Sequence, residues 1–419
     1  MASHAPWGVS WLSWHFQRTY NGVEYLRMNG YFSSYGFSIF DACQECSLDA
    51  IEWVDKIYMS MSAMVLTPYI ALNHFWGKEG LQFYGPIVDK VVIFVAGVAA
   101  AELIIRCIKS YSRVAVYFVG ISAFGLFISA PWTYRMVLAG WSEIYFWMFF
   151  LVGVLSFVNS RNGLAYLFFL LAGLFHYQWA LAVALFYILI LIISFLTKDI
   201  HGSKLYFPPS VSEGRQRFFL LGSLLLPAIT FLAHRFIGQQ YLGDNAGSSF
   251  ISRIGISGED PYNGGLIGAL QFLGGTEISQ CFASLGTVSG VLGSVNTYLD
   301  VLPIFNCMLS IGSMTALSLL AILGIGILLK KSESSRWIIL PISFALIVFI
   351  TTLQQALSVH LMGISYIFSF LFAAGMLSLI VFFEKHIQSS VLITVFAIPC
   401  LIGIIFLSIR VSMLIGGNG

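Results

Sequence analysis

The sequence predicts an all-α, polytopic helical membrane protein with about ten or eleven transmembrane helices, and three observations carry that prediction. Only 10% of the 419 residues are charged, against about 25% in an ordinary soluble domain. Hydrophobic residues make up 58% of the chain, with a mean hydropathy of +0.85. A soluble fold of this length has no means of hiding so much apolar surface. Apolar runs of spanning length then recur along most of the chain. Aromatics at 16%, including 37 Phe and 19 Tyr, suit lipid-facing surfaces and interfacial belts.

The runs place spans near 88–105, 114–132, 144–158, 164–177, 178–196, 218–236, 302–329, 337–356, 362–383 and 390–412. Leu164 to Thr197 is too long for one span and barely long enough for two. Its polar residues cluster at His176, Tyr177 and Gln178, so the break is expected there. A single tilted helix is the rival, and it would invert everything downstream. The segment 59–76 falls short of a span and reads as an interfacial or re-entrant helix. Within 53–65, WVDKIYMSMSAMV resembles an amphipathic helix lying on the surface.

Charge placement orients these spans, because short cytoplasmic loops collect Lys and Arg. Turns 106–113, 159–163, 197–217, 330–336 and 384–389 hold 12 of the 21 basic residues within 47 positions. The regions 1–87, 133–143 and 237–301 hold 6 basic residues against 13 acids within 163 positions. The first set is therefore expected inside and the second outside. Four regions follow: an outer N-terminal region 1–87 with interfacial helices, membrane helices 88–236, an outer loop 237–301 with short amphipathic helices, and C-terminal membrane helices 302–419. The stretch from Met1 to Phe16 lacks the basic n-region of a typical signal peptide. An outer 1–87 therefore implies translocation by charge alone or a further upstream span. No repeat of 20–50 residues recurs.

Composition and motifs exclude several functions. A net charge of +2 offers no basic stripe for nucleic acid. There is no Walker loop, no dinucleotide fingerprint and no HExxH. Cys43-Gln44-Glu45-Cys46 is a lone C-x-x-C with no second pair. A metal site needs further ligands, so a local disulfide on an oxidising face is the expectation.

Ionisable residues at the outer face are the informative ones, since charge beside the bilayer is costly without a purpose. The candidates are Glu24, Asp41 and Asp49 in the first region, Arg135 and Glu143 between two spans, His176 at a tight turn, His234 and Arg235 at a span end, and His360. Each has a plainer reading. Glu24 suits a solvated helix, Arg135 and Arg235 suit interface anchors, Glu143 suits a helix N-terminus, and the histidines suit packing. Gathered in one outward cavity, they would suit a phosphate-bearing lipid. Arginine offers a planar fork for phosphate oxygens, and a carboxylate acts as general base towards an acceptor hydroxyl.

Several runs resemble the first half of GT-C membrane glycosyltransferases, over about residues 18–190. Tyr20-Asn21-Gly22-Val23-Glu24-Tyr25 through Asn29-Gly30-Tyr31-Phe32-Ser33 is similar to their first outer loop. Thr67-Pro68-Tyr69 is similar to a later part of that loop. Ser129-Ala130-Pro131-Trp132, Arg135 and Ser142-Glu143 are similar to the passage between their third and fourth spans. The resemblance implies transfer of a sugar from a polyprenyl-phosphate donor to a lipid or glycan acceptor outside the cytoplasm, in the cell envelope, with a bacterial plasma membrane the expected location. It implies a base or acceptor-orienting role for Glu24, the second acidic position for Glu143 and a donor-phosphate contact for Arg135. Asp41 joins the acids, and His176, His234, Arg235 and His360 join the lipid-phosphate contacts. Membrane lipids and the lipid-linked sugar are the expected partners. No cofactor is firmly implied, although a divalent cation is compatible. The sequence departs from the pattern in having one acid, Glu24, where a pair is usual, and only Trp7 to Phe16 where a first span is usual.

Two other classes fit parts of the chain. A polysaccharide polymerase or O-antigen-ligase-like enzyme would use the late loop, where Arg253 precedes Gly264, but leaves the acidic first region unexplained. A lipid or solute transporter would want broken helices in paired positions. Pro227, Pro341 and Pro399 form no such pair.

Overall fold

The computed structural model describes residues 13–30, 37–39, 57–108, 113–129, 143–197, 206–208, 211 and 214–242, with isolated positions 340, 341, 344, 398 and 402. Helices account for nearly all of them. In order they are α1 (Ser13–Asn29), α2 (Thr67–Ile108), α3 (Arg113–Ser129), α4 (Glu143–Val158), α5 (Asn162–Phe175), α6 (Tyr177–Thr197) and α7 (Gly214–Leu242). Between α1 and α2 lies a small antiparallel ribbon of β1 (Phe37–Ile39) and β2 (Ile57–Ser62). Ile39 pairs with Ile57 and Ser38 with Tyr58, and the register slips between Phe37 and Ser38.

The ribbon corrects the surface helix expected over 53–65. Ile57, Met59 and Met61 alternate with Tyr58, Ser60 and Ser62, and that period of two belongs to a strand. The interfacial helix expected over 59–76 shortens likewise. A 3-10 turn occupies Ala63–Leu66, and the α-helix starts at Thr67, where Pro68 suits a first turn whose N–H groups have no helical partner.

α1 stops at Asn29-Gly30. Gly30 takes φ +85 and its N–H returns to the Leu26 carbonyl at 2.9 Å, a left-handed helix end that glycine accepts without steric cost. α2 is interrupted at Gly77, with φ 66 and ψ −168. Side-chain-bearing residues essentially never take that conformation. The result is a short helix over 67–76 and a long one over 78–108.

Long helices then pack in alternating directions. Phe124 and Phe127 fill the space where a Gly97 side chain would stand, and Ile105 does the same at Gly120; small residues let α2 and α3 approach closely. α4 and α5 form a tight hairpin. Phe157 meets Tyr166 at 5.4 Å, Phe150 meets Phe169 at 5.4 Å, and Tyr145 stacks on Phe175 at 4.9 Å. The Phe169 ring lies within 2.9 Å of a Cβ placed on Gly153.

The chain breaks at His176, with φ −149 and ψ 85, and folds back. A Cβ on Gly173 would lie 3.3 Å from that of Ala180, whereas seven residues of continuous helix rise about 10.5 Å. α7 confirms the reversal. Its Phe219 meets Tyr166, Pro227 fills the notch at Gly173, and Phe231 stacks on Tyr177 at 4.1 Å. Further along α6, Tyr187 contacts Phe207, which precedes α7. α5 and α7 therefore run one way and α6 the other.

Two helical stretches, Tyr177–Thr197 and Gly214–His234, are long and apolar enough to cross a membrane by length and composition. α4, at 16 residues, and α5, at 14, rise only about 24 and 21 Å, short of a hydrocarbon core of about 30 Å. The six helical stretches from 78 onward coincide with the first six expected spans, within a few residues except at the start of α2 and the ends of α7. The expected spans after 300 lie outside the described residues, apart from isolated helical positions. One of these, Phe344, packs its ring 5.7 Å from Phe186 of α6.

Candidate functional site

Three carboxylates gather at one end of this body, on elements brought together by the Gly77 kink and the His176 turn. Glu24 lies on the buried face of α1 with Thr19, Asn21 and Val23. Arg27, one turn on, grips it as a fork. Nε donates to both carboxylate oxygens at 3.1 and 3.0 Å, and Nη2 donates to Oε2 at 2.8 Å. The Asn73 side-chain amide, from the short helix 67–76, donates to Glu24 Oε1. Arg27 itself is largely exposed, so the pair forms a polar edge with a buried acid beneath it. Hydrogen bonding to Glu24 pushes the Arg27 pKa up. Burial, followed by the Glu24 charge, pushes the Tyr20 phenol up.

One turn before Asn73, Tyr69 reaches the second carboxylate. Its hydroxyl donates to Asp89 Oδ1 at 2.5 Å, and the Tyr145 hydroxyl donates to the same oxygen at 3.1 Å. The two hydroxyls are 3.3 Å apart. Asp89 is fully buried. It stands on the long part of α2, so this cluster ties the two halves of α2 to α4.

The third carboxylate, Glu143, opens α4 and is also fully buried. The Trp179 indole donates to its Oε1 at 2.5 Å, and Trp147 stands one turn further along α4. The indoles pack against each other at 5.1 Å, and Phe146 stacks on Trp179 at 6.2 Å. His176 is buried here, edge-on to Phe146 at 6.3 Å.

Of the residues singled out from sequence, Glu24, Glu143 and His176 thus fall at this end. His234 lies on α7 one turn past Phe231, whose ring covers Tyr177, and it is half-buried. Arg235 follows it in α7. Asp41, Asp49, Arg135, His360, Cys43 and Cys46 lie outside the described residues. Sequence reasoning missed Asp89, Tyr69, Asn73, Arg27 and the two tryptophans. A signal for Asp89 was present, since it is an acid inside an apolar run. Glu102, at the opposite end of that run, is different. It is partly exposed and pairs with Arg106 at 2.7 Å, an i,i+4 surface pair.

The opposite end of the body is basic. Arg106, Arg113, Arg161 and Arg215 are all exposed there. Arg217 spreads over the Phe207 ring at 4.6 Å. Among the described residues, no three His, Cys, Asp or Glu side chains converge as a metal nest would require.

No protein-family model, curated protein or solved structure matches the chain.

Proposed function

We propose that the chain is a polytopic membrane glycosyltransferase of the GT-C kind, moving a sugar from a polyprenyl-phosphate donor to a lipid or glycan acceptor on the non-cytoplasmic side. The membrane part of this reading rests on an inverted distribution of polarity. Asp89 and Glu143 are inside the helical body, while Phe195, Phe218, Tyr117 and Phe236 stand outward on its helices. Soluble monomers rarely expose apolar patches on that scale.

The observation that carries the catalytic part is Glu24, gripped by Arg27 and Asn73 on the outer-end helix α1. In this reading the Glu24 carboxylate takes the proton of the acceptor hydroxyl. The acceptor oxygen then forms a bond to the sugar C1, the C1–O bond to phosphate breaks, and polyprenyl phosphate leaves with the electron pair. Arg135 supplies the donor-phosphate contact that the resemblance implies. Glu143, enclosed by indoles, positions the ends of α4 and α6 rather than touching substrate. A cell-envelope site, with the reaction facing away from the cytoplasm, is supported by the exposed arginines at the opposite end, since cytoplasmic turns collect Lys and Arg.

The test is transfer or donor hydrolysis by the purified protein in lipid, supplied with polyprenyl-phosphate sugars. Glu24→Gln is expected to lower the rate by about 10²–10⁴-fold, with thermal stability retained. Full activity in Glu24→Gln would remove the site assignment. Absence of transfer from every donor would remove the transferase reading.

A second reading has one observation in its favour. A fully buried acid such as Asp89, between two tyrosine hydroxyls inside a helical bundle, also suits a proton-coupled transporter. Asp89→Asn would then abolish proton-coupled uptake in proteoliposomes, whereas the transferase reading expects sugar transfer to survive it.

A further inference from the structure

We propose that a chain of aromatic rings bridging the Gly77 kink seats the protein in the headgroup layer of a lipid bilayer. Helix 67–76 would lie along that layer, and the outward face of α2 beyond it would meet hydrocarbon. This rests on the membrane reading above and is independent of the transferase reading.

Phe75, Trp76, Phe83 and Tyr84 are 72%, 55%, 55% and 40% exposed, yet they are not scattered. Phe75 meets Trp76 at 5.8 Å, Trp76 meets Tyr84 at 5.3 Å, and Tyr84 meets Phe83 at 5.1 Å. The rings thus continue across the break in the helix. Gly80 makes this possible. A Cβ there would stand 2.0 Å from the Trp76 Cβ, so only glycine lets Trp76 fold back onto the second helix. Gly77 supplies the turn and Gly80 the space.

What surrounds these rings identifies their solvent. His74, Lys78, Glu79 and Gln82 are exposed among them, and the Lys78 ammonium sits over the Tyr20 ring at 4.6 Å. Mixed aromatic and charged side chains characterise the headgroup region, where an amphipathic ring is stable and a lysine meets lipid phosphate. Beyond, residues 91–101 contain no ionisable or polar side chain. Val91, Phe94 and Val98 recur outward on one face, at helical spacing. From Tyr84 to Glu102 the helix rises about 27 Å, and to Arg106 about 33 Å. Those lengths bracket a hydrocarbon core of about 30 Å. Two charged residues fall inside that interval. Asp89 turns inward to Tyr69, and Lys90, about 9 Å past Tyr84 along the helix, is half-buried, with a stem long enough to lead its ammonium towards the collar.

The test is site-specific nitroxide labelling through an azide-bearing residue, which leaves the native cysteines in place. The full chain carries one label at 75, 83 or 94, in vesicles of three parts phosphatidylcholine to one part phosphatidylglycerol. Accessibility to oxygen against a water-soluble nickel chelate gives depth. Labels at 75 and 83 are expected at headgroup depth, and the label at 94 about 16 Å deeper than 83. Gly80→Ala is expected to move the label at 75 out of that layer and leave 83 in place. If 75 and 83 are fully aqueous while 94 is deep, the collar is wrong and the membrane reading stands. If 75 and 83 are closed to both reagents, a protein surface covers the rings and the collar is wrong. If 94 is aqueous, the membrane reading itself falls.

Discussion

Asp89 shows how much structure a single side chain can hold. It accepts from Tyr69 and Tyr145, and through Tyr69 it fixes the short helix that carries Asn73 to Glu24. Replacing it by leucine would leave those hydroxyls buried. They are close enough to pair with each other, so about one polar group is orphaned, costing about 1–3 kcal/mol. Asp89→Leu is therefore expected to lower the unfolding temperature of the protein in lipid by several degrees, while Asp89→Asn, which keeps a carbonyl acceptor, retains most of it. Equal melting of Asp89→Leu and the native chain would show that the cluster does not hold the fold. At this scale the sequence was partly legible. Glu24 stood out as an acid of the expected outer region, and Glu143 as a scarce charge beside an expected span. Their partners did not, because Asn73, Tyr69 and Trp179 lie 49, 20 and 36 residues from the acids they meet, and no local pattern encodes such pairings.

Elements were legible where one periodicity dominated. Apolar run length located the cores of α3, α4, α5 and α6 to within a few residues, because burial and lipid contact make the same demand for uniform hydrophobicity. The misreading came at 57–62, within the helix expected over 53–65, where an amphipathic helix and a strand compete for the same mixed composition. There the alternation of Ile57, Met59 and Met61 prevailed. The hairpin at His176 was readable only from the polar cluster. In the fold the Gly173 notch, filled by Pro227 and faced by Ala180, gives the returning chain room. The hairpin has a topological consequence. With Ser160→Cys and Thr197→Cys labelled one at a time by a membrane-impermeant maleimide, both are expected to react from the same side. Reaction from opposite sides would mean that 162–197 crosses once, and the reversal would be excluded.

For the molecule as a whole, the ordering of charge by end is the feature that sequence and fold share. Arg106, Arg113, Arg161 and Arg215 stand at one end. Glu24, Asp89 and Glu143 are buried at the other, with Arg27 and Lys78 exposed beside them. Short turns carrying arginine resist translocation, so the arginine end is expected in the cytoplasm and the carboxylate end outside. Under the proposed function, this polarity decides whether Glu24 meets substrates made or delivered outside the cell. Lys78→Cys is expected to label in intact cells with an impermeant maleimide, and Ser160→Cys only after permeabilisation. A reversed pattern would put Glu24 in the cytoplasm and end the case for an extracytoplasmic donor, while leaving the helical body unchanged. Labelling of both sites in intact cells would instead remove the bilayer from between the two ends. The exposed apolar faces of α2, α6 and α7 would then need a protein cover rather than lipid.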